Sequence, residues 1–426
     1  MQFKYGLYER PPLGETLLYG FQWFAITLPT IIVLGKITGE FHFATYLDQM
    51  VYLQKLLFVM AVSLMAQLFL GHRMPLIVGP STILLVGILS GAGHPADTVY
   101  SAILLGGLIL SLASATGMLS YPKKLFSPRV VAVVLILIAF TLAPSLVNLI
   151  TAVTEPASPL AHVLFSLALV FTLFAANRFL PGVWKSTLII WAMAAGSLAW
   201  FALFPDTFGT EQIPKLPPVS GFFKHLTFGL SFDAGVLISF LVCFLALFVN
   251  DLGSIQSMNE LLKPADAEKR INRGILVTGL SNMLSGFFGV IGPVNYSLSP
   301  GVIAATGCAS RVAMMPTAAL LLLMSFSPAA IGFLSGVPSI VVGTILIYIL
   351  SSQISAGLMM LFESIEEFQL SDGLIIGLPL MLATITAFLP AAFLSGLPAV
   401  LRPILGNGFV VGITAVLLME HWIFRN

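Results

Sequence analysis

The chain has 426 residues, 58% of them hydrophobic and 9% charged, and its mean hydropathy of +1.01 excludes an ordinary soluble domain, where about a quarter of residues are charged. With 19 Lys and Arg against 18 Asp and Glu the net charge is +1, so the basic footprint that neutralises nucleic-acid phosphates is missing and no nucleic-acid partner is expected. The hydrophobic residues and 37 glycines together approach what fourteen membrane spans of about 20 residues consume.

Lys4 and Arg10 precede an apolar run that contains Pro29 and has no small-residue cleavage site, so this run reads as a retained first span and not as a signal peptide. Windows of about 20 residues predict an all-α membrane protein with spans near 15–35, 51–70, 76–91, 98–119, 128–150, 160–177, 182–204, 232–261, 270–290, 297–306, 313–334, 338–360, 373–394 and 400–422. The third and tenth are too short to cross as continuous helices, and a Gly-Pro pair lies at each, Gly79-Pro80 and Gly292-Pro293. With the N-terminus in the cytoplasm, 14 of the 19 Lys and Arg fall inside, and Lys36, Lys55, Lys215, Lys224 and Arg402 fall outside, the bias of the positive-inside rule. Both termini are then cytoplasmic, and a bacterial inner membrane is the expected location. The mixed-charge run Glu260 to Arg273 and the acidic stretch Phe362 to Asp372 become inner loops.

Cys243 and Cys308 lie in apolar runs without CxxC spacing, and the six histidines, at 42, 72, 94, 162, 225 and 421, fall at span ends or in loops without ligand spacing. No disulfide, metal site or cofactor is indicated. A Walker sequence and a nucleophile elbow are both missing, so neither ATP-driven transport nor enzymatic hydrolysis has support.

The segment Ile77-Val78-Gly79-Pro80-Ser81-Thr82 recurs in outline as Val290-Ile291-Gly292-Pro293-Val294-Asn295, at an offset of 292 − 79 = 213 residues, half the chain. Seven spans precede the outer loop at about 205–231 and seven follow it, and an odd number per unit inverts the second copy. The expectation is a 7+7 inverted repeat, residues 1–210 and 211–426, in which spans 3 and 10 are discontinuous half-helices. Extended backbone at membrane depth is tolerated only where it lines a cavity or is buried in protein. The two breaks therefore mark a site, where short helices starting near Ser81 and Leu298 would turn their free amides towards a polar or anionic solute.

Glu9-Arg10-Pro11-Pro12-Leu13 and Gly20-Phe21-Gln22-Trp23, then Asn250-Asp251-Leu252-Gly253-Ser254, then Ser285-Gly286-Phe287-Phe288-Gly289 and the run Leu298 to Gly307 resemble motifs of the nucleobase/ascorbate transporter family, which includes the uracil and xanthine permeases. The resemblance covers almost the whole chain. Gly301, Thr306 and Gly307 fit the family signature, whereas Leu298 and Ser299 stand where an acidic or amide residue and Asn are expected. Trp23 takes the place of the family's histidine, and Asn250 that of a glutamate. The resemblance implies fourteen spans, a core domain of spans 1–4 and 8–11, a gate domain of spans 5–7 and 12–14, and proton symport, usually of a nucleobase.

The candidate substrate-binding residues are Gln22, Trp23, Ser81, Thr82, Asn250, Ser254, Asn295, Ser297, Leu298 and Ser299. The amides of Gln22, Asn250 and Asn295 offer donors and acceptors to the edge of a planar ring, or else bond between helices. Trp23 stacks on a flat ligand or packs, and Ser81, Thr82, Ser297 and Ser299 cap helices or face the ligand. Asp251 is the one carboxylate placed deep in a span. It is rotated about 100° from Asn250, so it either couples transport to protons or pairs with a hydroxyl or amide on a neighbouring helix. If it does not couple, proton coupling is absent. The leading reading is a secondary transporter of a nucleobase or other small planar solute, with the bilayer as its surroundings and a homodimer left open. A small-anion transporter of the same inverted-repeat architecture and a non-transporting membrane binding protein are the alternatives.

Overall fold

The computed structural model describes residues 3–91, 93–118, 125–151, 158–207, 217–223, 229–296, 299–364, 367–398 and 401–424. The described chain is helical apart from short 3-10 and π turns, two three-residue strands and the connecting loops. In order come α1 (Leu13–His42), α2 (Tyr46–Phe69), β1 (Val78–Pro80), α3 (Thr82–Ser90), α4 (Ala96–Ala115), α5 (Pro128–Thr141), α6 (Ala143–Thr151), α7 (Pro159–Phe179), α8 (Gly182–Ser186) and α9 (Leu188–Leu203). The second half holds α10 (Ala234–Leu262), α11 (Ala267–Phe288), β2 (Pro293–Asn295), α12 (Ser299–Thr306), α13 (Met315–Ser325), α14 (Pro328–Ser335), α15 (Ser339–Ser364), α16 (Leu370–Ala387), α17 (Ala391–Ser395), α18 (Arg402–Leu405) and α19 (Gly408–Leu418).

Among the described residues eight helices are long and apolar enough to cross a membrane, or nine if the pair Arg311–Ser325 and Pro328–Leu334, bent by 100°, is one span. Several windows expected as unbroken spans are interrupted. Pro144, without an N–H and with its ring against the preceding turn, parts α5 from α6 at Leu142. Pro328 starts α14 after α13 ends, and Asn407 caps α19 by accepting from Phe409 and Val410 N–H, so the last window begins as two helices. Beyond its exposed first turns, the polar residues of α11 point into protein: Thr278, Ser281, Asn282 and Ser285 are buried, as is Arg270 nearer its start.

The helices pack as two groups. In one, α4 lies along α11, and α1, α2, α10 and α13 pack round them; in the other, α5, α6, α7, α9, α15, α16 and α19 pack mainly on one another. The α4–α11 contact is backbone-close, since a Cβ on Gly107 would stand 2.6 Å from Met283 N and one on Gly286 2.5 Å from Leu104 N. Small residues at such contacts are how helices associate where no water drives them together. Within the first group β1 and β2 pair antiparallel in the register Val78–Asn295, Gly79–Val294 and Pro80–Pro293, and all six residues are buried.

Candidate functional site

Backbone groups buried away from water must be paired, and the two strands meet this requirement by tying each to the other's half-helix. Ser81 N–H donates to Gly292 O at 2.9 Å and Tyr296 N–H to Ile77 O at 2.9 Å. Ile77 N–H donates to Ser299 Oγ at 3.0 Å, Ile291 N–H to Tyr52 Oη at 3.0 Å, and Tyr296 Oη–H to Pro80 O at 2.8 Å. Only glycine fits beside this crossing at position 292, where a Cβ would lie 1.8 Å from Asn282 Oδ1. Asn282 itself donates to Pro293 O at 3.0 Å and to Thr278 O at 2.8 Å.

Asp251, fully buried on α10, collects three donors. Its Oδ1 accepts from Asn295 N–H at 3.0 Å and from Asn295 Nδ2 at 2.7 Å, and its Oδ2 accepts from Thr278 Oγ1 at 2.8 Å. The next shell has the same polarity. Gln67 Nε2 donates to Thr278 Oγ1 at 3.0 Å and to Gly274 O at 2.9 Å. Met74 N–H donates to His72 Nδ1 at 3.0 Å, which leaves the ring proton on Nε2 to donate to Asn295 Oδ1 at 3.1 Å. The bonds to Thr278 Oγ1, His72 Nδ1 and Asn295 Oδ1 hand their hydrogens towards Asp251, the arrangement of an acceptor-only carboxylate in a satisfied buried network. The His72 loop is in turn held by the buried Arg270, whose Nη1 donates to His72 O at 2.9 Å and to Arg73 O at 3.2 Å while its Nε binds Asp266 Oδ1 at 2.6 Å.

The crossing brings Asp251, Asn295, Ser81, Thr82 and Ser299 together. Ser81 caps α3, accepting from Leu84 N–H at 3.3 Å, and Ser299 both accepts from Ile77 N–H and donates to Tyr296 O at 3.1 Å. Thr82 Oγ1 accepts from Gln353 Nε2 on α15 at 3.2 Å, a bond between the two helix groups. Gln353 Oε1 and Gln22 Nε2 are buried and without a hydrogen-bond partner among the described residues. Trp23 is packed in the apolar core at 2% exposure. Asn250 is half-buried and is not among the partners of Asp251, while Ser254, buried, donates to Asn250 O at 2.9 Å. Ser297 and Leu298 lie outside the described residues.

Sequence reasoning did not single out Gln67, His72, Thr278, Asn282 or Gln353. Gly274, Thr278 and Asn282 recur every fourth residue on α11, a polar face that such spacing could have revealed. His72 meets Asn295 across 223 residues, and no local pattern announces that contact.

A family model described as "Permease family" matches residues 14–392, and the chain belongs to that family. The chain is 25% identical to "Xanthine permease" of Bacillus subtilis, covering 96% of this chain and 94% of the relative. It is likewise 25% identical to "Xanthine permease XanP" of Escherichia coli, over 97% of this chain and 93% of the other. In fold it is similar to the transmembrane domain of the cyanobacterial bicarbonate transporter BicA, with a TM-score of 0.60 at 16% identity, covering 88% of this chain and 96% of that one.

Proposed function

From that family membership as premise, we propose that this integral membrane protein is a uracil/xanthine permease-like secondary transporter whose solute is an oxopurine or related nucleobase, held where β1 and β2 cross. The observation that carries the reading is the crossing itself: two half-helices, α3 and α12, start from paired strands inside the protein, and partial positive charge collects at such starts. Next to Thr82 at the start of α3, Gln353 Oε1 is an unpartnered buried acceptor; Gln22 Nε2 on α1, which packs against β1 and α3, is an unpartnered buried donor. A lactam edge, with N–H beside C=O, complements such a pair.

The fourteen segments form a 7+7 inverted repeat in this reading. Pro80 and Pro293 face each other across the strand pair, and 293 − 80 = 213, the offset of the sequence repeat, so equivalent residues meet on the axis that an inverted repeat requires. The group of α1–α4 and α10–α13 is then the core and the group of α5–α9, α15, α16 and α19 the gate. Transport is motion of one against the other, with the Gln353–Thr82 bond made and broken in the cycle. Asp251 is the coupling group. A proton taken up at Oδ2 turns that acceptor into a donor, so the Thr278 hydroxyl can no longer donate to it while Oδ1 keeps both Asn295 donors, and the contact between α10 and α11 is what changes as the proton arrives.

A thermal-stabilisation screen of the purified protein with xanthine, uric acid, hypoxanthine, uracil, bicarbonate and sulfate tests the solute class. A solute at 100 times its Kd adds about 2.7 kcal/mol of stability. Stabilisation by oxopurines or uracil and not by the inorganic anions is the expected result; the converse would make this an anion transporter.

A further inference from the structure

Asn407 is fully buried where the start of α19, in the second helix group, meets α10 of the first. Its side chain is engaged on both sides. Oδ1 accepts from Phe409 and Val410 N–H at 3.1 and 3.3 Å, and Nδ2 donates to Ser239 Oγ on α10 at 2.9 Å. A carboxamide nitrogen has two hydrogens, and the thiol of Cys243, one turn further along α10, is within reach of the same amide. Each side of the contact is fixed to its own helix group. A Cβ on Gly408 would stand 2.3 Å from Ala383 O of α16, and one on Gly412 2.6 Å from Leu137 of α5. Across the contact, a Cβ on Gly87 of the half-helix α3 would stand 3.1 Å from Phe240 and 3.3 Å from Cys243 Sγ. Asn407 therefore moves with the gate, and Ser239 and Cys243 move with α3 and the crossing. Ser239, Cys243 and Ala246 share one face of α10 and are small, so nothing bulky blocks a slide along it. One turn before Ser239 stand Gly235 and Val236, which have no side-chain acceptor.

We propose that Asn407 is a positioning residue of the transport step, a catch that holds the core against the gate at two places one turn apart. It sits on Ser239 in this structure, and on Cys243 once α10 has moved about 6 Å along its axis towards its own start. This rests on the core-against-gate reading above. The cap on α19 stays whole in both positions, so the only bond exchanged is the neutral one to α10. A thiol is the weaker acceptor, so the Ser239 position is the favoured one, and the catch sets the resting ratio of the two.

The test is the distance distribution between spin labels on Glu260→Cys, near the end of α10, and Arg178→Cys, near the end of α7, in the full-length protein reconstituted in lipid. Both positions are exposed, and the two native cysteines, Cys243 and Cys308, are buried. The labelled protein should show two distances, the major one that of this structure. Ser239→Ala should raise the second population about two- to tenfold, the worth of a neutral hydrogen bond, and Cys243→Ala should lower it. Asn407→Ser keeps the cap on α19 but falls short of α10, so in that background neither substitution should move the ratio. Should Asn407→Ser not fold, the opposite signs of the first two still decide. A ratio that Ser239→Ala and Cys243→Ala move the same way, that Cys243→Ala leaves unchanged, or that moves as far in Asn407→Ser as without it, overturns the catch; so does one distance shared by every variant. Thermal stabilisation by xanthine, read on the same samples, separates the two claims. If xanthine stabilises and the ratio does not move, the catch fails and the crossing stands; if the ratio moves as expected and no nucleobase stabilises, the catch stands and the solute reading fails.

Discussion

Replacing Asp251 by Leu and by Asn separates what its shape does from what its acceptors do. In the Leu variant the Asn295 N–H, the Asn295 Nδ2 and the Thr278 hydroxyl lose the oxygens they bind at 3.0, 2.7 and 2.8 Å. An orphaned buried group costs about 1–3 kcal/mol. Relief is partial: Asn295 Nδ2 already has Thr278 Oγ1 at 3.4 Å, whereas Gly274 O, where the Thr278 hydroxyl would turn, is taken by Gln67. A loss of about 3–5 kcal/mol follows. The Asn variant keeps one oxygen for both Asn295 donors and turns its own amide to Thr278 Oγ1, giving up the charge assistance and the acceptor of the Thr278 hydroxyl hydrogen, about 2–3 kcal/mol. Denaturant unfolding in detergent, followed by tryptophan fluorescence, measures both. If the Leu variant is within about 0.5 kcal/mol of the Asn variant, which is the noise of a surface substitution, the carboxylate does not organise the crossing. In proteoliposomes Asp251→Asn should also abolish uptake driven by a pH gradient and leave solute exchange intact; gradient-driven uptake that survives it would show that another acid couples.

Gly292→Ala should prevent accumulation of folded protein, because the new Cβ falls 1.8 Å from Asn282 Oδ1 and 2.9 Å from Leu84 Cδ1; a folded variant of normal thermal stability would refute the close approach. The Arg270 guanidinium holds the Asp266 carboxyl below the usual carboxylate range, so its contribution is present above the unfolded pKa and is lost as pH falls through the depressed folded value. Asp266 is about half exposed, and solvent screening keeps the effect below about 1 kcal/mol. Asp266→Asn should flatten that part of the acid limb of the stability curve, and an unchanged limb would count against the pair. Single cysteines at Lys124 and Lys269 should label only from the cytoplasm and one at Glu155 only from outside; opposite sides for the first two would contradict the inverted repeat. Lys124 and Glu155 lie outside the described residues.

The helical bundle was legible because apolar windows state where helices lie, and the crossing was legible because Gly79-Pro80 and Gly292-Pro293 cannot continue a helix. What the windows could not show is where a span breaks under a single proline or amide, as at Pro144 and Asn407, since hydropathy is blind to a missing N–H or a capping oxygen. The reading of Asp251 left two roles open. Its partners are a hydroxyl on the neighbouring helix, Thr278 of α11, and an amide on the strand β2, Asn295, a pairing that the 100° rotation from Asn250 allowed. His72, Gln67 and Gln353 stayed hidden for a different reason. Each completes a bond between segments more than 200 residues apart, and a contact of that kind exists only once the chain is folded.

The measurement closest to the central claim is exchange of radiolabelled xanthine by the reconstituted protein, wild type beside Asn250→Leu. The account predicts that the wild type exchanges xanthine, and that the variant, folded and monodisperse, neither exchanges it nor is stabilised by it. Exchange by the variant at the wild-type rate, with unchanged affinity, would contradict a solute site at the crossing beside α10.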